Sequence, residues 1–248
     1  ATLEDVQAFY NTYYQPKNAI LVIAGNIEKN NALQLCEKYF TSTKNSDCIH
    51  HTFTEPIQTT ATQKTIQEEV PLNAIYIAFK MCDRLHPDYY VADITSDILA
   101  NGTSSRLHQR LVKEAKAFVD MDAYITASND IGMFVFEGKV SEGYDVYHAE
   151  QLVWKEIEQI KQDLVPEKEL QKCKNKVLTY QNFSESSLLN RAISLAYYEL
   201  LGNANLINEE EQHYEVIQTT DIQRFAKATF DKEKSNTLYY LKKDYLTK

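Results

Sequence analysis

The sequence predicts an α+β chain in which an antiparallel sheet carries helices packed on one face. Two observations support this. Short stretches alternate at period two, as in Val119, Met121, Ala123 and Ile125, and are interspersed with stretches whose apolar residues recur at helical spacing. The alternating stretches 119–127 and 131–140 are joined by a short Asn129-Asp130 turn, a hairpin connection that places strands antiparallel.

In chain order, Thr2 reads as a helix N-cap with Glu4 and Asp5 in the first turn, and Val6, Phe9, Tyr10, Tyr13 and Tyr14 form a stripe that ends at Pro16. Asn18 to Gly25 is a continuous apolar run bounded by turn residues, which predicts a strand buried on both faces. A second helix carries Ala32, Leu35, Cys36, Tyr39 and Phe40, and residues 41–63 turn polar without periodicity, as a linker would. Thr65 to Met81 reads as a strand in which Ile75, Ile77 and Phe79 alternate. His86-Pro87 opens a helix with Tyr90, Val91, Ile94 and Ile98 on its face, closed by Asn101-Gly102, and Ser104 or Ser105 caps the next. After the hairpin come a helix over roughly 144–161 and a longer one from Pro166 to Gly202 broken near Ser184 to Ser187. A helix over 220–229 and a strand over 237–241 close the chain.

Composition excludes several classes. With 248 residues, 44% apolar and 25% charged, the chain is an ordinary globular sequence of one large domain or one domain plus part of another. Its longest clean apolar run, Ala19 to Ala24, is far short of the roughly 20 residues a membrane helix needs. A net charge of −9 gives no counterion-release drive toward nucleic acid. Cys36, Cys48, Cys82 and Cys173 lie too far apart for a zinc ribbon and do not fix the compartment.

An internal repeat is more informative. Asp5, Gln7 and Phe9 recur as Asp221, Gln223 and Phe225 at an offset of 216 residues, and Val6 and Tyr14 are matched conservatively by Ile222 and Phe230. Both copies lead through a polar turn into a strand, Asn18-Ala19-Ile20-Leu21 and Asn236-Thr237-Leu238-Tyr239, the second with two extra residues in the turn. On this reading residues 1–50 are the tail of a preceding unit, 51–63 a linker and 64–248 a complete second unit, with roughly 160 to 200 further residues expected before Ala1.

Three segments then resemble the pitrilysin/insulinase family of zinc metallopeptidases, which includes processing peptidases. Phe9 through Gly25 is similar to the family's F-x-x-x-Y-x-P-x-N-x-x-L-x-x-x-G segment. Leu99-Ala-Asn-Gly-Thr-Ser-Ser-Arg-Leu107 resembles its L-G-G-G-x-S-S-R-L loop, and the helical stretch around Leu170 to Gly202, with Asn175-Lys176, also fits. The resemblance covers essentially the whole chain and implies a duplicated metallopeptidase-type domain, one complete copy plus the tail of the preceding one.

It also implies zinc held by His-x-x-Glu-His and a distal Glu in the first unit of the full-length protein. His50, His51, His86, His108, His148 and His213 form no such motif, so no metal or catalytic residue is assigned to this chain. Family members place an Arg and a Tyr toward substrate just beyond the S-S-R-L helix; those positions hold Val112 and Phe118, which supply neither a guanidinium nor a phenol. The resemblance therefore implies the C-terminal, non-zinc half of a zinc endopeptidase. This half would be inert alone, and would wall a clamshell chamber and offer a substrate-binding surface to peptides. Its implied partners are the missing N-terminal unit, a peptide substrate and another family subunit in a homo- or heterodimer, in a bacterial cytoplasm or periplasm. The alternative is a non-catalytic scaffold or partner subunit of the same fold.

The expected substrate-chamber residues are Asn101, Gly102, Ser104, Ser105, Arg106, Val112 and Phe118. Three of them have a structural reading beside the functional one: Asn101-Gly102 as a helix C-cap and Arg106 as the partner of a carboxylate. His50-His51 with Glu55 reads as solvated linker and Cys173 as a core or half-buried thiol. The 17 Tyr and 10 Phe residues read first as core.

Overall fold

Residues 1–40, 54–126 and 129–243 are described by the computed structural model of the chain. The helices are α1 (Leu3–Tyr13), α2 (Lys29–Phe40), α3 (Asp88–Ala100), α4 (Val146–Gln162), α5 (Glu167–Glu185), α6 (Leu188–Leu200), α7 (Glu210–Glu215) and α8 (Thr219–Thr229). The strands are β1 (Thr62–Glu68), β2 (Ala74–Lys80), β3 (Phe118–Ile125), β4 (Met133–Val140) and β5 (Asn236–Lys242). Backbone contacts divide the chain into two units, Ala1–Thr54 with Thr179–Glu210, and Glu55–Leu178 with Glu211–Lys248. Among the described residues no helix is long and apolar enough to cross a membrane.

The larger unit is the expected α+β layer. Its five strands lie in the order β1-β5-β2-β4-β3. The β3/β4, β2/β4 and β2/β5 pairs are antiparallel. The departure is the edge pair β1/β5, which is parallel. These strands stand at opposite ends of the unit's sequence, and the chain between them provides the long crossover that parallel pairing requires. The expected strand over 65–81 is two strands. Pro71-Leu72-Asn73 breaks it, and β5 enters between the halves. The hairpin falls as expected, with Phe134 and Phe136 of β4 facing the same side as Ile125 and Ala123 of β3.

One face of this sheet is dry. Ile75, Ile77 and Phe79 of β2, Phe134 and Phe136 of β4, and Tyr239 and Leu241 of β5 are buried against α3, α4 and α8. Phe230, just beyond α8, is the hub of this layer. Its ring lies 4.8 Å from Phe134, 5.3 Å from Phe79, 5.4 Å from Phe136 and 5.9 Å from Phe225, centroid to centroid, mostly tilted or edge-on as ring quadrupoles favour. Gly138 sits on the same face because nothing larger fits. A Cβ there would come within 2.5 Å of the Phe118 ring and 2.6 Å of the Met121 sulfur.

In the smaller unit, Thr2 and Asp5 form a reciprocal capping box that starts α1. Ser187 caps α6 by accepting from the Asn190 amide, which places the break in the long C-terminal helix where the serines predicted it. The strand expected over Asn18–Gly25 is absent. Residues 19–24 have no ladder partner among the described residues, and a lone extended segment cannot satisfy its amides and carbonyls as a strand does. Ile20, Leu21 and Ile23, expected to be buried, are exposed. Most of the expected linker, with His50 and His51, lies outside the described residues.

Gly138→Ala should lower the stability of the larger unit by about 1–3 kcal/mol, the ordinary cost of overpacking, and a urea melt reads it directly. An unchanged midpoint would mean that Phe118 and Met121 yield freely.

Candidate functional site

Helix α3 ends where the sequence signals it. The Asn101 amide closes the last turn on the Asp97 carbonyl at 3.2 Å, and Gly102 follows at φ +95°, a left-handed conformation that favours glycine. The Asn101 side-chain amide donates back to the Asp97 carboxylate. Helix α5 pins the loop from outside, since Lys176 donates to the Asn101 carbonyl at 3.3 Å and Lys172 to the Ser104 hydroxyl at 3.1 Å. Asn101, Gly102 and Ser104 therefore share one exposed, lysine-braced turn.

The next residues turn inward. Ser105 is buried, and among the described residues its hydroxyl has no hydrogen-bond partner, nor has the buried His108 Nε2. Neither serine caps a helix with its side chain. The Arg106 guanidinium forks onto Glu169 of α5, Nε to Oε1 at 3.0 Å and Nη2 to Oε2 at 2.7 Å, which is the carboxylate partnership read as one of its two roles. A π-helix over His108–Glu114 follows, with the Ala115 amide reaching back five residues to the Arg110 carbonyl. Val112 is half-buried on the core, and Phe118 is fully buried at the start of β3. The structure thus gathers Asn101, Gly102 and Ser104 at the surface and sends Ser105, Val112 and Phe118 into or against the core.

Sequence reading missed the sheet's open face. Register aligns Asp122 of β3, Glu137 of β4 and Tyr76 of β2 in one row across the sheet, continued by Leu238 and Lys64. Tyr76 and Tyr124 each donate a phenolic hydrogen bond to the Glu137 carboxylate, at 3.2 and 3.3 Å. Burial, and then Glu137, pushes both phenols above their usual range. Burial likewise raises the Asp122 carboxyl, helped by Asp120 and Glu137 and opposed by the Ala123 amide. The available signal was the polar phase of the hairpin, Asp120, Asp122, Glu137 and Lys139, set between core residues.

Cys173 is buried, and that burial, with Asp97 beside it, pushes its thiol up to about 11, so it stays protonated and unreactive. Glu55 is paired with Lys80. Among the described residues no three His, Cys, Asp or Glu side chains are grouped to hold a metal.

A family model described as the peptidase M16 inactive domain matches residues 1–177. The zinc protease PqqE of Helicobacter pylori is 28% identical over 247 residues, covering 96% of this chain and 54% of that protein. A solved protease from Helicobacter pylori superposes with a TM-score of 0.91 at 24% identity, covering 97% of this chain and 59% of that one. The solved M16 inactive domain from Pseudomonas fluorescens superposes with a TM-score of 0.84 at 15% identity, over 98% of this chain and 57% of that one. The chain spans little more than half the length of these relatives.

Asp97 supplies a pH test of this loop. Burial raises its carboxyl above the usual value, against the opposing Asn101 hydrogen bond and the charges of Lys176 and Lys172. A raised folded-state value means that the folded chain holds the proton more tightly than the unfolded chain. The stabilisation is complete below the unfolded value and lost as pH rises through the folded one. Asp97→Asn should flatten that part of the stability-pH curve, whereas an unaltered slope would show that the carboxyl does not titrate as placed.

Proposed function

The chain belongs to the M16 peptidase family, and we propose that it is the non-metal half of a zinc-dependent endopeptidase whose zinc and general base come from a unit upstream of Ala1. The observation that carries this reading is the match of residues 1–177 to a domain described as inactive, in a chain that is similar to a zinc protease along nearly its whole length.

In this role the larger unit walls a closed chamber with the open face of its sheet. A dry helical layer on the other side keeps that face rigid, so the row from Asp122 through Glu137 to Tyr76 presents fixed carboxylates and phenols rather than mobile side chains. The turn at Asn101 to Ser104, braced by Lys172 and Lys176, forms part of the same wall. Unfolded peptides suit such a chamber because extended backbone can pair with a sheet edge, and β1 and β3 are the edges here. Val112 and Phe118 offer nothing to a developing oxyanion, so that stabilisation falls to groups outside this chain. The scaffold alternative keeps the same wall and assigns the chemistry to another subunit.

The test compares the longer polypeptide, including the sequence upstream of Ala1, with this chain alone. The longer protein should hold about one zinc per chain after dialysis and cleave an unfolded peptide until a chelator is added, while this chain should do neither. Stoichiometric zinc or chelator-sensitive cleavage in this chain would overturn the reading. A longer protein with neither property would favour the scaffold.

A further inference from the structure

The turn after α3 has used its acceptors and kept its donors. The Asn101 carbonyl accepts from Lys176 Nζ at 3.3 Å, the Gly102 carbonyl from the Ser105 amide at 3.1 Å, and the Thr103 carbonyl from the Gln109 side chain. The backbone N–H groups of Gly102, Thr103 and Ser104 donate to no group among the described residues, and all three residues are exposed. Successive free amides at a positive-φ glycine make the kind of concavity in which backbone donors hold an anion. Ser105, which closes the turn, adds a buried hydroxyl without a partner among the described residues. The side chains around the turn carry a matching charge. Lys172 and Lys176 are exposed and stand four residues apart on α5, a spacing at which like charges repel, yet both ammonium groups bend onto this turn and bond neutral acceptors. Neither lysine forms an ion pair among the described residues. Arg106 and Glu169 neutralise one another, and Asp97 sets one carboxylate against two ammonium groups. A chain of net charge −9 therefore keeps a positive surplus here.

We propose that the amides of Gly102, Thr103 and Ser104, with Lys172 and Lys176, form a carboxylate-binding subsite for the peptide, taking its C-terminal carboxylate or an acidic side chain. The assignment rests on the proposed peptide chamber, of which this turn is part of the wall. A carboxylate is all acceptor, with two oxygens and about four lone-pair sites, and it suits a turn whose own acceptors are engaged and whose donors are not. Hydrogen bonds in which the acceptor or donor is ionised are the strong ones, and here amides and ammonium groups would share one anion. A basic side chain meets two ammonium groups at the same place and finds the carbonyls of Asn101, Gly102 and Thr103 already bonded. Asp97 tempers the site without cancelling it, because its carboxylate accepts from the Asn101 side chain. The subsite thus selects for a negative group at one point of the peptide.

The test measures peptide binding to the longer polypeptide after treatment with a chelator, so that nothing is cleaved. The probes are a fluorescent unfolded peptide, its C-terminal amide, and a version in which every Asp and Glu is replaced by Asn and Gln. The wild-type protein should lose about tenfold in affinity when the carboxylate it uses is removed. Loss on amidation identifies the C-terminus, and loss on side-chain replacement identifies the acidic residues. Lys172→Gln combined with Lys176→Gln should bind all three peptides equally, whereas Lys172→Arg combined with Lys176→Arg should keep the preference. Equal affinities in the wild type would overturn the proposal, as would a preference that survives the double Gln variant. Amide NMR of the wild-type protein needs no variant: the Gly102, Thr103 and Ser104 resonances should shift with the peptide that carries the carboxylate and stay in place with the one that lacks it. Resonances unmoved by either peptide would overturn the proposal, and shifts produced by inorganic phosphate alone would overturn the carboxylate assignment. Absence of zinc-dependent cleavage with the peptide preference intact would contradict the enzymatic reading and leave the subsite standing.

Discussion

Strand β5 must satisfy hydrogen-bonding groups on both of its edges, and the larger unit is arranged around that requirement. It pairs with β1 over residues 62–68 on one side and with β2 over 74–78 on the other, which draws the last strand of the chain into the middle of the sheet. Helix α8 and Phe230 arrive with it. Because Phe230 stands among Phe79, Phe134, Phe136 and Phe225, the strand that joins the ladders also seats the ring that fills the layer above them. One segment, 219–242, thus contributes both to the backbone pairing and to the aromatic packing of this layer.

That segment has a second copy near Ala1, in which the local conformation survives and the pairing does not. The contrast shows what tertiary partners contribute. Caps and turn chemistry suffice to build a helix and aim the chain out of it, but strand structure requires a neighbour. It also separates two properties of the chain. The larger unit closes its own sheet and buries its own core, while the proposed chemistry needs a metal that the described residues are not grouped to hold. A rigid sheet with one dry face and one polar face suits a wall better than a reaction centre.

Much of this was legible in the sequence, and the misses share a cause. Helices α1, α3, α4 and α8 and the β3/β4 hairpin follow from local signals: a cap, a stripe of apolar residues, a two-residue turn. The run 19–24 was misread because an apolar, β-branched segment declares its preference for a strand and says nothing of whether a partner is at hand. The β1/β2 split was signalled by Pro71 and Asn73, but the insertion of β5 between them is a long-range pairing without a local trace. Of the candidate site residues, the exposed turn at Asn101, Gly102 and Ser104 follows from the helix stop. The inward paths of Ser105 and Phe118, the π-helix between them and the fork of Arg106 on Glu169 depend on packing against α5 and the sheet. The polar row on the open face was readable in phase and passed over because its neighbours dominate the pattern.

The most direct test of the account is a crystal structure of the longer polypeptide grown with zinc. The account predicts a metal held only by residues upstream of Ala1 and no zinc on this chain's residues. A zinc ion ligated by this chain's own side chains would contradict it.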